Sequence, residues 1–456
     1  MPFSDEVREK ISNYCHVNPS QVICLSDQSS IYRVPLELER QGLVDFFCTK
    51  FGISNPKQTV SKTTIPAIIT PKSSRPRDFQ QKWRRLAERF DNTNKTVSIA
   101  LVGKYTKLED SYASVIKALQ HSALAINRKL AIHYIEGSDL EEEAKVGEPG
   151  RYYDAWQSLV RADGILVPGG FGDRGVEGKI LAIRYARENR KPFLGVCLGY
   201  QCAVLELARN VLGEKGAESQ EVNRDTPAPF IVEMPEHHGG DLGGTMRVGR
   251  RETRFTAQGG VTWQLYKRAD RIYERHRHRY EVNPAMVPRL EAAGLAFVGR
   301  DTTGERMEIA ELRDHPYFVG VQFHPEYTSR PLKPSPVYHG LLLASAGKLK
   351  GYLAKAASAT AKQNENHNSN ISNSSSNSSS AALSDLGGNC DSEDTASALE
   401  SEAEESTSLE TGNGINGNGA ALCNGSGNGT PSTAGGTDDD ESVTLKFEKI
   451  SFEGKN

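Results

Sequence analysis

FLGVCLGYQCAVLELARNV (193–211) decides the fold: an apolar run with strand character passes straight into a stretch with helical apolar spacing. A strand that hands over to a helix at a tight corner is a unit of parallel-sheet architecture, because parallel strands need crossover connections. The surrounding sequence repeats that unit. VSIALVG (97–103) is a continuous apolar run, SYASVIKALQHSALAI (111–126) has helical spacing, and KLAIHYI (129–135) is strand again. DGILVPGG (163–170) precedes the helical KILAIRYARENR (179–190). The alternation predicts an α/β fold with a mostly parallel central sheet flanked by helices. After residue 228 the texture changes to strands and turns, as in GGTMRVGRRETRF (243–255) and the hairpin FVGRDTTGERMEIAEL (297–312) with Gly304 in its turn. FVGVQFHPE (318–326) returns to a buried strand, and YHGLLLASAGKLKGYLAKA (338–356) closes the block as a helix.

These elements fill residues 96–357. Residues 1–50 are compact in pattern, with VPLELERQGLVDFF (34–47) reading as a helix, but are too few for a core of their own. Residues 51–95 begin rich in Ser, Thr, Pro and Lys and turn helical at FQQKWRRLAERF (79–90), the pattern of a linker with one bridging helix. Residues 358–456 are Asn, Ser and Gly with acidic patches, for example NSNISNSSSNSSS and GNGINGNG. Such a segment buries too little apolar surface to offset chain entropy, so disorder is expected. Within it only VTLKFEKISF (443–452) alternates like a strand; a lone run of that length is more often unstructured than a docking peptide.

Composition narrows the function classes. A net charge of -3 over 456 residues gives no general pull toward nucleic acid. No apolar run approaches the roughly 20 residues of a membrane helix, and the polar start MPFSDEVREKIS lacks a signal-peptide pattern. The seven cysteines are scattered, without Cys-x-x-Cys pairs or metal-ligand spacing, which fits a reducing compartment and a cytoplasmic location.

Three motifs carry chemistry. Gly195-Val-Cys197-Leu-Gly199 sits at the strand-to-helix corner. Flanking glycines permit the tight turn that pushes a nucleophile out of a strand end, and the helix N-terminus behind it favours a thiolate. A cysteine there is otherwise an ordinary small buried hydrophobe. Phe323-His324-Pro325-Glu326 ends the last buried strand. A Cys nucleophile needs a base to hold it ionised and to protonate a leaving amine, and His324 serves both needs while Glu326 accepts the other ring proton. Without such partners, His-Pro-Glu is a solvated turn. Pro168-Gly169-Gly170-Phe171-Gly172 ends a third strand, where backbone amides point at a developing oxyanion; Gly170 and the amide of Leu198 form the expected pair. Gly170, Gly172 and Gly175 also match a dinucleotide-binding fingerprint, but the following strand ends in Cys197 and not in the acidic residue that fingerprint needs.

GVCLGYQ, PGGFG and HPE together resemble the class I glutamine amidotransferases. GGFGDRGVEGKI, ERHRHRYEVNP, LGGTMRVG, VGKYTKLEDSYASVIKAL and DQSSIYRVP narrow the resemblance to the CTP synthases over about residues 5–355, and the long Ser-rich acidic tail favours the animal type. The resemblance implies a flavodoxin-like sheet preceded by the end of an α/β amidoligase domain. It also implies an activity: ammonia freed from glutamine passes to a separate site, where UTP, activated by ATP, becomes CTP. Cys197, His324 and Glu326 fall on the family's triad, and Gly170 and Leu198 on its oxyanion hole. Gly170, Phe171, Gln201, Glu221 and Arg279 fall on glutamine contacts, with Glu221 toward the α-amine and Arg279 toward the α-carboxylate. Arg174, Gly175 and Glu177 fall on a lid for allosteric GTP, Lys104 on a lysine coupling the two halves, and Asp27 on an ATP adenine contact. Lys104 reads equally as a surface lysine; the plainer reading of Arg-His-Arg-His-Arg (275–279) is a solvated basic face or a phosphate or nucleic-acid patch.

The family's phosphate loop, Mg²⁺-binding acids and UTP contacts have no counterpart here; Gly-x4-Gly-Lys-Ser/Thr does not occur. The expectation is a shortened chain that keeps the glutaminase half and needs no cofactor or metal of its own. ATP, UTP and Mg²⁺ then belong to the amidoligase domain, and tetramers or filaments form through full-length subunits. The alternative is a non-catalytic form that regulates full-length assembly.

Overall fold

The computed structural model describes residues 3–53, 76–234 and 246–358. The expected tail and the strand-like 443–452 lie outside these residues, as do the Ser/Thr-rich part of the linker and positions 243–245. The helices are α1 (Asp5–Cys15), α2 (Val34–Arg40), α3 (Leu43–Lys50), α4 (Pro76–Asn92), α5 (Ala113–Ala125), α6 (Glu142–Gly147), α7 (Pro149–Arg161), α8 (Val176–Glu188), α9 (Leu198–Asn210), α10 (Val261–Leu265), α11 (Val287–Ala292) and α12 (Pro336–Ser345). The strands are β1 (Thr96–Gly103), β2 (Lys129–Glu136), β3 (Gly164–Val167), β4 (Phe193–Val196), β5 (Ala217–Ser219), β6 (Ala228–Glu233), β7 (Arg247–Phe255), β8 (Arg271–His278), β9 (Tyr280–Val282), β10 (Leu295–Arg300), β11 (Met307–Leu312) and β12 (Phe318–Val321).

The main sheet has nine strands in the order β2-β1-β3-β4-β12-β11-β10-β7-β8. It is mixed: pairings from β2 through β12 are parallel, and pairings from β12 through β8 are antiparallel. In the parallel half both faces are covered. Ala100, Val102, Ile165 and Val167 face one core with Leu159 of α7, Ile180 of α8 and Val204 of α9. Ile99, Leu101, Leu166 and Leu194 face the other with Leu119 of α5 and Leu341 of α12. A strand buried on both sides has no polar face to show, which is why these segments read as unbroken apolar runs. Ile99 and Leu101 are fully buried, and truncating either to Ala costs about 2–5 kcal/mol.

The antiparallel half behaves otherwise. Along β8 exposed and buried residues alternate strictly: Arg271, Tyr273, Arg275 and Arg277 point out, and Ile272, Glu274, His276 and His278 point in. At the N-terminal end the stretch read as one helix is broken at Gly42, whose φ of +82° separates α2 from α3. Helix α4 joins this end to the main body. Its Leu86 and Ala87 pack with Tyr32 on one side and Leu124 of α5 on the other, and Trp83 Nε1 donates to the Tyr32 carbonyl at 2.9 Å. Among the described residues no helix is long and apolar enough to cross a membrane.

Candidate active site

Cys197 occupies the corner between β4 and α9 with φ +51° and ψ -105°, a conformation that non-glycine residues avoid. Crowding on both sides explains the flanking residue types. A Cβ at Gly195 would lie 2.6 Å from the Gly199 carbonyl oxygen, and one at Gly199 would overlap the Val167 carbonyl of β3. Only glycine lets the turn close while α9 rests on the neighbouring strand. The corner is pinned by Cys197 N–H donating to the Val321 carbonyl at 2.7 Å, which ties β4 to the end of β12. His324 lies three residues beyond that carbonyl, so the register Val321↔Val196 brings together two motifs over a hundred positions apart in sequence.

The His324 ring and Cys197 lie side by side against Gly169, and His324 Nδ1 is 2.8 Å from Glu326 Oε1. With an anionic oxygen at Nδ1, that nitrogen carries the proton and Nε2 serves the sulfur. Burial alone would lower the pKa of His324, but the hydrogen bonds and charges of Cys197 and Glu326 overcome it and carry the value up to about 10. The partners around the ring thus favour its protonated form. Glu326 is itself buried, and its Oε2 accepts from the Tyr338 hydroxyl at 3.5 Å. Burial pushes Tyr338 well above the ordinary tyrosine value, so it remains a donor. Cys202, one turn further along α9, provides the contrast: fully buried, it is pushed up to about 12 by desolvation.

The glycine turn after β3 closes the other side. A Cβ at Gly169 would come within 2.7 Å of His324 Cε1 and 3.4 Å of Cys197 Cβ, so the turn presses directly on the pair. A Cβ at Gly170 would lie 3.5 Å from Leu198 Cδ2, so the glycine turn packs on the Leu198 side chain. Leu198 is the first residue of α9, where backbone N–H groups have no partner within the helix. Lys104 is not an idle surface lysine: its Nζ donates to the Phe171 carbonyl, fastening the end of β1 to this turn. The Phe171 ring is partly exposed, with the Arg277 guanidinium 5.8 Å away.

Glu221 also reaches this turn, accepting from Gly172 N–H at 2.8 Å. Gln201 is buried, and its Nε2 donates to the Tyr280 carbonyl at 2.7 Å. Arg279 stands between β8 and β9, next to Tyr280. Of the three expected lid positions, Arg174 and Gly175 meet the same stretch, residues 136–138, and Glu177 stands apart. Arg174 stacks on Tyr105 at 4.3 Å and bonds Glu136 at 2.6 Å, whereas Glu177 pairs with Arg209 at 2.7 Å on the α9 side. Gly175, with φ +72°, is wedged against Gly137 and Ser138. Asp27 is exposed and apart from this site, flanked by Ser26 and Gln28, which line a small hollow with Arg8, Glu37 and Arg40. Sequence reading did not single out Arg277, Gln322 or Tyr338. A signal existed only for Gln322 and Arg277, which sit within the motifs around His324 and Arg279.

Comparison with known proteins identifies the family. A family profile described as Glutamine amidotransferase class-I matches residues 107–344, more than half of the chain. The chain belongs to that family. A second profile, CTP synthase N-terminus, matches residues 1–53. CTP synthase 1-B of Xenopus laevis and CTP synthase 1 of Homo sapiens are each 56% identical to it over 354 residues, 78% of this chain and 57% of theirs. The combination is similar to that of these animal CTP synthases, and the chain spans just over half their length. Among solved structures, one titled as the glutaminase domain of Trypanosoma brucei CTPS with bound acivicin is 38% identical, with a TM-score of 0.51, over 56% of this chain and 95% of that one.

Proposed function

We propose that this chain hydrolyses glutamine to glutamate and ammonia, with Cys197 as nucleophile, His324 as acid and base, and Glu326 orienting the imidazole. The observation that carries the reading is the placement of His324, beside Cys197 at the Gly169 turn and 2.8 Å from Glu326 Oε1 through its Nδ1. The sulfur anion attacks the side-chain amide carbon, and the resulting oxyanion takes N–H bonds from Gly170 and Leu198. His324 gives its proton to the amide nitrogen, the C–N bond breaks, and ammonia leaves a γ-glutamyl thioester on Cys197. Water then attacks the thioester while His324 takes its proton, and glutamate departs as the thiolate is restored. A zwitterionic amino acid needs a fixed anion and a fixed cation. Glu221, held at the glycine turn, and Arg279 are assigned those roles, with Phe171 and Gln201 as further contacts.

The names of the relatives support a wider reading in which this ammonia serves ATP-dependent amination of UTP to CTP in the cytoplasm, within tetramers or filaments of full-length subunits. GTP would promote ammonia release at the lid of Arg174, Gly175 and Glu177, and Lys104 would transmit the state of the partner domain to the glycine turn it grips. Among the described residues no group of three or more His, Cys, Asp or Glu could hold a metal ion. By the same resemblance, ATP, with Asp27 toward its adenine, and Mg²⁺ belong to the amidoligase half of the full-length enzyme.

The test is ammonia release from glutamine by the purified chain and by Cys197→Ala. Release by the wild type and none by the variant is expected; equal release by both overturns the assignment. Co-purification with a full-length relative, without ammonia release, would instead favour a role in assembly.

A further inference from the structure

Gln322 lies between the two catalytic motifs and is only 1% exposed. Its Nε2 is 3.7 Å from Cys197 Sγ, and its Oε1 is 3.4 Å from Gln201 Nε2. Gln201 Nε2 in turn donates to the Tyr280 carbonyl at 2.7 Å, and Gln201 is 3% exposed. The chain of contacts fixes its own direction. A backbone carbonyl only accepts, so the Gln201 atom facing Tyr280 is its amide NH₂. That same NH₂ faces Gln322, so the Gln322 atom opposite it is the carbonyl oxygen. The Gln322 NH₂ is thereby left pointing at the sulfur. The backbone is fixed as well, since Gln322 N–H donates to the Glu308 carbonyl at 2.9 Å.

From this geometry we infer that Gln322 is a catalytic residue: a second N–H donor to the Cys197 sulfur, set apart from His324, that holds the thiolate for attack and receives it when the thioester is cleaved. Gln201 is its positioning residue, in addition to any contact with substrate. The logic is that of an anion in a water-poor site. A sulfur anion with one partner would follow the imidazole as His324 moves its proton to the leaving nitrogen. A fixed neutral donor keeps the sulfur in place through that step and cannot itself give up the proton. The inference rests on the glutaminase reading, because it assigns Gln322 to the same nucleophile.

Its test reads the sulfur directly. The rate of Cys197 alkylation by iodoacetamide, followed by peptide mass spectrometry across pH, is compared in wild type, Gln322→Met and Gln322→Glu. Met keeps the length without a donor. Glu keeps the acceptor for Gln201 and replaces the donor with an acid. The acid limb of the profile is expected to move to higher pH by about one unit in Gln322→Met, or about tenfold slower alkylation below it, and further in Gln322→Glu. Gln201→Met, which frees the Gln322 amide to rotate, should move it the same way by less. In the ammonia assay Gln322→Met should lower kcat with KM little changed. Profiles that overlay the wild type in both folded Gln322 variants overturn the inference. His324→Ala separates the two claims: if it shifts the profile and the Gln322 variants do not, only the donor fails. If it does not shift, and the wild type releases no ammonia, the glutaminase reading fails.

Discussion

Two histidines on either side of the Phe323 ring mark the two halves of the sheet. His324 ends the last parallel strand, and His276 lies on the antiparallel edge, 5.7 Å between ring centroids from Phe323. Both are buried, and burial alone disfavours a charge on either. Yet His324 is carried up to about 10, while His276 is pushed down to about 3, first by burial and then by Arg247. Partners make the difference. His324 has Glu326 at 2.8 Å and the Cys197 sulfur, whereas the nearest carboxylate to His276 is Glu308 at 3.7 Å. That carboxylate is engaged elsewhere, bonded to Arg247 and Thr253, and burial has raised its own pKa to about 7. The parallel half thus assembles charge where chemistry needs it, and the antiparallel half keeps its buried imidazoles neutral.

Breaking the parallel half should have the largest effect. His324→Ala removes both base and proton donor, and kcat for ammonia release should fall by about 10³-fold or more. Glu326→Gln leaves the ring present but loses the anion that fixes its proton, with an expected loss of about 10²-fold. Either variant retaining near wild-type kcat would remove His324 from the mechanism. Gly169→Ala sharpens the steric side of the comparison. Its methyl group would drive into His324 Cε1, so activity should fall at least about tenfold while circular dichroism stays native, since displacement of a catalytic ring by an ångström is costly.

The neutral buried histidines should show themselves in stability, His276 on the antiparallel edge, His121 on α5 and His339 on α12. His276, with His121 and His339 at about 4, is neutral when folded but takes up protons below pH 6.5 when unfolded. Their contribution is therefore complete above about 6.5 and lost as pH falls toward 3–4. His324 has the opposite sign: its contribution is complete below about 6.5 and lost as pH rises through about 10. Glu274 and Glu308, both raised to about 7 by burial, work against the neutral histidines between about 4.5 and 7, so their stabilisation falls as pH rises through that window. Urea denaturation at pH 6.5 and 5 should show each neutral histidine costing up to roughly 2 kcal/mol at the lower pH, largely offset by Glu274 and Glu308, so that a small net loss remains. The loss should shrink in His276→Phe; an unchanged loss would mean that His276 is not a neutral buried group. The smallest effect is expected from Tyr338→Phe, which removes a 3.5 Å bond to Glu326 and should lower kcat by only a few-fold.

Legibility in the sequence followed the same division. The parallel strands announced themselves because both faces are apolar, and their motifs fall at strand ends, where local spacing already implies exposure. The Arg-His-Arg-His-Arg run read as a basic face, but in a strand every second residue turns inward, so His276 and His278 are core residues. Gln322 and Tyr338 escaped notice because their partners, Cys197 and Glu326, are reached through sheet register and helix packing and not through local spacing. The break at Gly42 was missed because the flanking apolar pattern continues across it, while φ there belongs to a turn.

The most direct measurement is to quench the purified chain in acid during glutamine turnover and map covalent adducts by mass spectrometry. A γ-glutamyl thioester is expected on the peptide carrying Cys197 and on no other cysteine. Ammonia released with the adduct on a different residue, or with Cys197 never modified, would contradict the assignment of the nucleophile.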